Sequence, residues 1–224
     1  MKPCLKVGFG KALLLSVIIA LSGLCYKAQG QDEWTLKSQK ESIFIYTRTF
    51  PDSKFKAIKV NLELTASLSQ FVTAILDVNT GAQWEYSTKS SVLLKQVSPA
   101  ELYYYCEVNL PWPVSNRDFI AHLIVTQDPH TRVVTIVGPT VPDYIPEKKD
   151  IVRVTRSEGK WVITPLAGNR IQVEYTLRAD PGGSIPAWIV NLFVTKGPME
   201  SFKNLKTQLQ KPAYVNAHLP FIKD

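Results

Sequence analysis

From Trp84 to Arg178 the chain reads as strand after strand, and nearly every link between the strands is too short for a parallel crossover. A parallel crossover takes a dozen or more residues, so short links between alternating segments mean antiparallel pairing. The strand-like runs are 84–88, 91–97, 101–109, 119–126, 131–138, 151–157, 160–164 and 170–178. Between them stand Pro111 and Pro113, Asp128-Pro129-His130, Ser157-Glu158-Gly159 and Ala167-Gly168-Asn169, all residues that break regular structure. The clearest run sets Ile171, Val173, Tyr175 and Leu177 on one face against Gln172, Glu174, Thr176 and Arg178 on the other. Such a sheet buries one face and wets the other. The one long link, Pro139 to Asp150, holds three prolines and reads as a loop.

Ahead of this region lies a hairpin. Ile43–Phe50 and Ala57–Leu64 flank a Pro51-Asp52-Ser53 turn, and Ile58, Val60, Leu62 and Leu64 alternate with polar residues. The period then changes to 3.6: Leu68, Phe71, Val72, Ile75 and Leu76 share a helical face, with Thr65 or Ser67 as cap and Asn79-Thr80-Gly81 as the stop. A last helix is expected from Ala187 to about Gln210, opened by Pro186, with an apolar stripe of Ile189, Leu192, Phe193, Met199, Phe202, Leu205 and Leu209. Gly197-Pro198 should kink it, because proline lacks the amide hydrogen and clashes with the preceding turn. The layout is β-β-α, a long antiparallel sheet, then a terminal helix. The class is α+β, with a curved sheet able to shelter a helix.

Residues 1–30 read as a secretory signal peptide. Lys2, Lys6 and Lys11 precede an uncharged apolar run, Ala12–Leu24, too short to cross a bilayer, and Ala28-Gln29-Gly30 offers small residues for cleavage before Gln31. Export to a periplasmic or extracellular space is the expectation. Lipid attachment at Cys25 is the minor alternative, since Leu24 stands where that modification needs a small residue. Residues 31–224 then make a single domain of ordinary size. The formal charge of +7 includes Lys2, Lys6, Lys11 and Lys27, so more than half of it belongs to the leader. What remains is interleaved with acids and excludes a nucleic-acid stripe, while transient attraction to a membrane surface fits it. Cys106 alone remains after Cys4 and Cys25, so no internal disulfide can form.

A set of residues resembles the START family of steroidogenic-acute-regulatory-related lipid-transfer domains. It comprises Trp84, a strand ending in Glu107, then Leu110-Pro111-Trp112-Pro113-Val114-Ser115-Asn116-Arg117-Asp118-Phe119, and Gly183-Ser184-Ile185-Pro186-Ala187-Trp188-Ile189-Val190-Asn191. The resemblance spans about residues 34–211. It implies a helix-grip fold, a long C-terminal helix over a curved antiparallel sheet, and an apolar cavity for one lipid or sterol-like molecule between them. It also implies noncatalytic binding and transfer of that ligand. The alternative is an enzyme of the helix-grip superfamily acting on a hydrophobic substrate, since similar domains include cyclases. A third reading is a structural domain whose interior is filled by its own side chains.

Candidate ligand residues follow from that frame. Arg117 and Asp118 are adjacent on a strand and point to opposite faces. If Arg117 points inward it needs a carboxylate such as Glu107 or a polar lipid head; otherwise it ties the Pro111–Ser115 turn to the sheet. Asp118 is expected to accept backbone hydrogens in the turn, and Trp112 to cover a sheet end. Tyr104 faces opposite to Tyr103 and Tyr105, so one subset lines the interior. Phe193, Phe202 and Leu205 on the last helix either complete the core or also cover the ligand as a movable lid. No catalytic set is expected: Cys106 and Glu107 point apart on their strand, and Cys106 reads as a buried, inert thiol. No cofactor or metal is expected either. His122, His130 and His218 are too scattered for zinc, and there is no dinucleotide, phosphate-loop or serine-elbow motif.

Overall fold

The computed structural model describes residue 1, residues 33–185, residue 189 and residues 192–224. The expected signal segment with Cys4 and Cys25, and the expected helix start at Pro186–Ala187, lie outside the described residues. The chain divides into Met1–Gln31 and Asp32–Asp224, and the second unit is the one described below. Among the described residues no helix is long and apolar enough to cross a membrane.

The strands are β1 (Thr35–Lys40), β2 (Ile43–Arg48), β3 (Ala57–Thr65), β4 (Thr88–Ser98), β5 (Glu101–Val108), β6 (Arg117–Gln127), β7 (Val134–Pro139), β8 (Val152–Arg153), β9 (Arg156–Leu166) and β10 (Arg170–Asp180). They form one ten-stranded sheet in the order β1-β2-β3-β10-β9-β7-β6-β5-β4. Every pairing along that path is antiparallel, and the two-residue β8 adds a short parallel contact to β6. The hairpin β2–β3 and the short-link reasoning therefore hold. β1 was not expected; its residues are almost all exposed, and a strand with no apolar face leaves no alternation to read.

Helix α1 (Leu68–Leu76) sits where the 3.6-residue period puts it, with Ser67 as its cap: Gln70 N donates to Ser67 Oγ at 3.1 Å. The expected stop is different. A 3-10 turn, Val78–Thr80, runs into a further turn, α2 (Gly81–Trp84), and Gly81 is right-handed helical at φ −49°. Its glycine serves close approach, since a Cβ there would lie 2.9 Å from Ser91 Cβ on β4. Gly81→Ala is expected to destabilise by about 1 kcal/mol, because overpacking of about 1–3 kcal/mol outweighs about 1 kcal/mol of helix propensity. Urea unfolding of the variant would measure it, and a more stable variant would show the contact yields freely.

The Ser157-Glu158-Gly159 break is absent; β9 runs through it. Gly159 pairs with Gly138 of β7 across the sheet, and a Cβ on Gly159 would meet the Tyr175 hydroxyl oxygen at 3.3 Å. The glycine makes room for a ring leaning over it, which is a role of glycine inside strands.

The last helix changes its winding where Gly197-Pro198 enters it. Leu192–Lys196 is a π-helical turn leading straight into α3 (Gly197–Leu209). Pro198 falls in the first turn of α3, where its missing N–H costs least, and the wider π turn before it takes up the misfit. Ile189, Met199, Phe202, Leu205 and Leu209 are buried as the stripe requires. A short α4 (Pro212–Val215) follows, and the tail folds back: Tyr214 Oη donates to Asp77 Oδ2 at 2.7 Å and Ser69 N to Asp224 Oδ1 at 2.7 Å. α1, α3 and the buried faces of β2, β3, β9 and β10 share one core. Trp112 covers nothing, being 90 % exposed in the β5–β6 loop.

Candidate functional site

A pocket of about 360 Å³ lies between the inner face of the sheet and the C-terminal helical segment. That is the low end of the roughly 300–1,000 Å³ seen for small-molecule sites. The sheet contributes Ile58, Tyr104, Ala121, Leu123, Trp161 and Tyr175, and the helical segment contributes Phe193, Val194 and Phe202. Gly138 and Gly159 also line it, so paired positions in mid-sheet carry no side chain to fill the space. Trp161, Tyr175 and Phe202 stand with ring centroids 4.2–5.8 Å apart and join the sheet to α3.

Of the candidate residues, Arg117, Tyr104, Phe193 and Phe202 border this pocket. Tyr104 is inward; Tyr103 is on the outer face, stacked 4.1 Å from His122 and 4.6 Å from Tyr144. Leu205 is not among the lining residues and is fully buried in the core. Glu107 is not among them either. It is an odd number of positions from Tyr104, so the same alternation that turns Tyr104 inward turns Glu107 away. Its carboxylate accepts from Lys89 Nζ at 2.9 Å and Asn116 Nδ2 at 2.8 Å. Burial works to raise its pKa, but those two donors outweigh it and hold the group below the usual carboxylate value.

Arg117 is therefore not paired with Glu107. Its Nε donates to Pro181 O at 3.2 Å, Nη1 to Ser115 O at 2.6 Å and Nη2 to Gly182 O at 3.0 Å. The guanidinium clips the β5–β6 loop and the end of β10 to one strand entrance, and burial lowers its pKa. Arg117→Ala is expected to cost about 2 kcal/mol, since charged donors to carbonyls contribute about 1.5–3 kcal/mol. Lys59→Ala should cost less: its ammonium has a 3.8 Å pair with half-exposed Glu174 and lies over the Trp34 and Tyr46 rings. Thermal unfolding of both variants checks the ranking, and equal losses would contradict it.

Asp118 does not cap the turn. It takes Arg153 in a two-pronged ion pair, Nε to Oδ1 at 2.7 Å and Nη2 to Oδ2 at 3.1 Å, on the face opposite Arg117. Cys106 is fully buried on the inward face, and burial above all pushes its thiol pKa well up. His122, which stacks on outward Tyr103, gives its Nε2 to Glu101 at 2.6 Å. Cysteine and histidine are on opposite faces, so no nucleophile and base meet there.

One residue was overlooked in the sequence. Glu85 follows Trp84 immediately and borders the pocket. Burial pushes its pKa up to about 7, with a long 3.4 Å bond from Thr88 Oγ1 working the other way. The run 84–88 read as strand, which hid it; α2 ends at Trp84 and turns Glu85 into the interior.

A sheet gripping a C-terminal helix, with an apolar pocket between them, defines a helix-grip domain. The START domain family matches residues 25–213, and the chain belongs to that family. A crystallised fragment of the StAR-related lipid transfer protein from Xanthomonas axonopodis is 34 % identical with a TM-score of 0.74, over 80 % of this chain and 100 % of that one. An uncharacterized protein of Pseudomonas aeruginosa is 29 % identical over 86 % of this chain and 94 % of its own length. Mouse phosphatidylcholine transfer protein is 25 % identical over 77 % and 82 % respectively.

Proposed function

We propose that the protein is a noncatalytic carrier that binds one lipid or sterol-like molecule in the pocket beneath its C-terminal helical segment and hands it on at a membrane surface. The observation that carries this reading is the pocket itself, whose walls are mostly apolar or aromatic with polar side chains such as Glu85, Tyr104 and Tyr175 set among them. Apolar surface removed from water at about 25 cal/mol per Å² holds such a ligand without any bond being made or broken. Family membership and the lipid-transfer names of the Xanthomonas and mouse relatives support it. Organic extraction of natively purified protein followed by lipid mass spectrometry tests it. An intact lipid supports the carrier; a chemically altered one supports an enzyme of the same superfamily.

Two further parts belong to the proposal. Residues 1–30 direct export and are cleaved before Gln31, which N-terminal sequencing of the exported protein would register; an intact N-terminus in the membrane fraction would contradict it. The C-terminal helix is the lid. It closes Phe193 and Phe202 over the pocket while Lys203 ties it to Glu41 between β1 and β2 at 3.0 Å. Exposing that apolar stripe costs less at a membrane than in water. A short thiol-reactive bridge between Glu41→Cys and Lys203→Cys, in a Cys106→Ser background, is expected to retain bound lipid yet slow exchange with vesicles at least tenfold. Unchanged exchange at complete bridging would exclude lid opening as the route.

A further inference from the structure

The pocket has few charged groups on its wall, and they differ in how well they are already satisfied. Lys56 is exposed at the rim, Asp77 accepts the Tyr214 hydroxyl, and Arg117 donates to three carbonyls. Among the described residues Glu85 has only the long side-chain bond from Thr88 and no ion pair. Two phenols complete the same region. Tyr104 and Tyr175 border the pocket, and neither hydroxyl has a hydrogen-bond partner among the described residues. Their ionisation is opposed first by burial and next by Glu85, which places the three groups within electrostatic reach of one another.

All three are partly buried and face an apolar pocket, and polar groups without protein partners in such a place are free to take a ligand's polar atom. The chemistry of that atom is constrained. It must give a hydrogen bond to a carboxyl oxygen and receive one from a phenol, which a hydroxyl group does with one oxygen. A phosphate or carboxylate would bring a second negative charge against Glu85 in a poorly hydrated place. An ammonium would have to be stripped of water to meet a single buried carboxylate, and the desolvation of such a pair often exceeds its attraction.

We propose that Glu85, Tyr104 and Tyr175 anchor the head of the ligand, and that this head is an uncharged, hydroxyl-bearing one, with phosphate and carboxylate heads rejected. The assignment rests on the lipid-carrier reading above and narrows its ligand class.

The test uses delipidated full-length mature protein and four probes that share one oleoyl or oleyl chain: monooleoylglycerol, oleate, oleoyl lysophosphatidate and oleylamine. Dissociation constants are measured at pH 8, below each probe's micelle concentration. Monooleoylglycerol is expected to bind at least tenfold more tightly than the two anions and than the amine. Tyr104→Phe/Tyr175→Phe, which removes only two oxygens, should weaken monooleoylglycerol about tenfold. Glu85→Gln keeps the shape and removes the charge, so it should retain monooleoylglycerol and narrow the gap to the anions to within about threefold. Anions or amine binding as tightly as monooleoylglycerol to the wild type, or preferences untouched by the three substitutions, would overturn the head-group assignment while leaving the carrier reading intact. Failure of all four probes to bind any variant would overturn the carrier reading itself.

Discussion

Asp118→Ala is expected to lower the unfolding free energy by about 3–5 kcal/mol, the cost usually found when one partner of a buried ion pair is removed. The side chains of Asp118 and Arg153 are 1 % and 2 % exposed. Arg153 also donates to the carbonyls of Pro142, Ile145 and Pro146, so it fastens the long β7–β8 loop onto the sheet. Its pKa is raised chiefly by the hydrogen bond to Asp118. Without the carboxylate, a guanidinium stays buried against carbonyls alone, and the loop must open to hydrate it. Asp118→Ala/Arg153→Met should therefore lose less than the sum of the two single changes, because the double variant leaves no orphaned charge. Urea denaturation of all four proteins at pH 7 closes the cycle. A loss below about 1 kcal/mol for Asp118→Ala, typical of an exposed pair, would contradict the buried geometry.

Glu85→Gln is expected to change how stability depends on pH. Burial raises the Glu85 pKa from 4.5 to about 7. Between those values the folded protein keeps a proton that the unfolded chain releases, so stability falls as pH rises. The contribution is fully present below about 4.5 and lost above about 7. At 1.36 kcal/mol per pKa unit the whole change is on the order of 3 kcal/mol. Glutamine has no proton to lose. In lipid-free protein the variant and the wild type should be nearly equal at pH 4, and the variant should be the more stable at pH 8. Tyr104, Tyr175 and Cys106, whose own pKa values burial raises, stay neutral through this window and drop out of the difference. Parallel stability curves would show Glu85 to be hydrated and remove it from the interior.

The strands were legible where one face is apolar and the other wet. β3 and β10 alternate cleanly, and they pair with each other from Arg170–Thr65 to Leu177–Ile58. The alternation of Tyr103, Tyr104 and Tyr105 was legible too, but which subset faces inward depends on the partner strands and had to be seen. β1 and the unbroken β9 were not legible. An exposed edge strand has no pattern, and a glycine that relieves a crowded neighbour looks in sequence like one that makes a turn.

The candidate site divides along the same line. Phe193 and Phe202 follow from periodicity, Tyr104 only once the inward subset is known, and Arg117 from its place at a strand entrance four residues after Pro113. Glu107 is offered by the sequence as a partner for Arg117 and Leu205 by the helical stripe, whereas register sends the first to Lys89 and helix rotation leaves the second in the core, the other reading that the stripe allows. Asp118 has its partner 35 residues away on β8. Glu85 is separated by most of a strand hairpin from Tyr104 and by the whole sheet from Tyr175.

From its sequence alone this chain is an antiparallel sheet with one buried face, two amphipathic helical segments and a set of START-like residues, because hydrophobic period, turn residues and short links act over neighbouring positions. Only the tertiary structure decides which buried groups find partners. That depends on contacts between residues distant in the chain, and it separates Asp118, satisfied by Arg153, from Glu85, left facing a pocket that the paired glycines of β7 and β9 keep open.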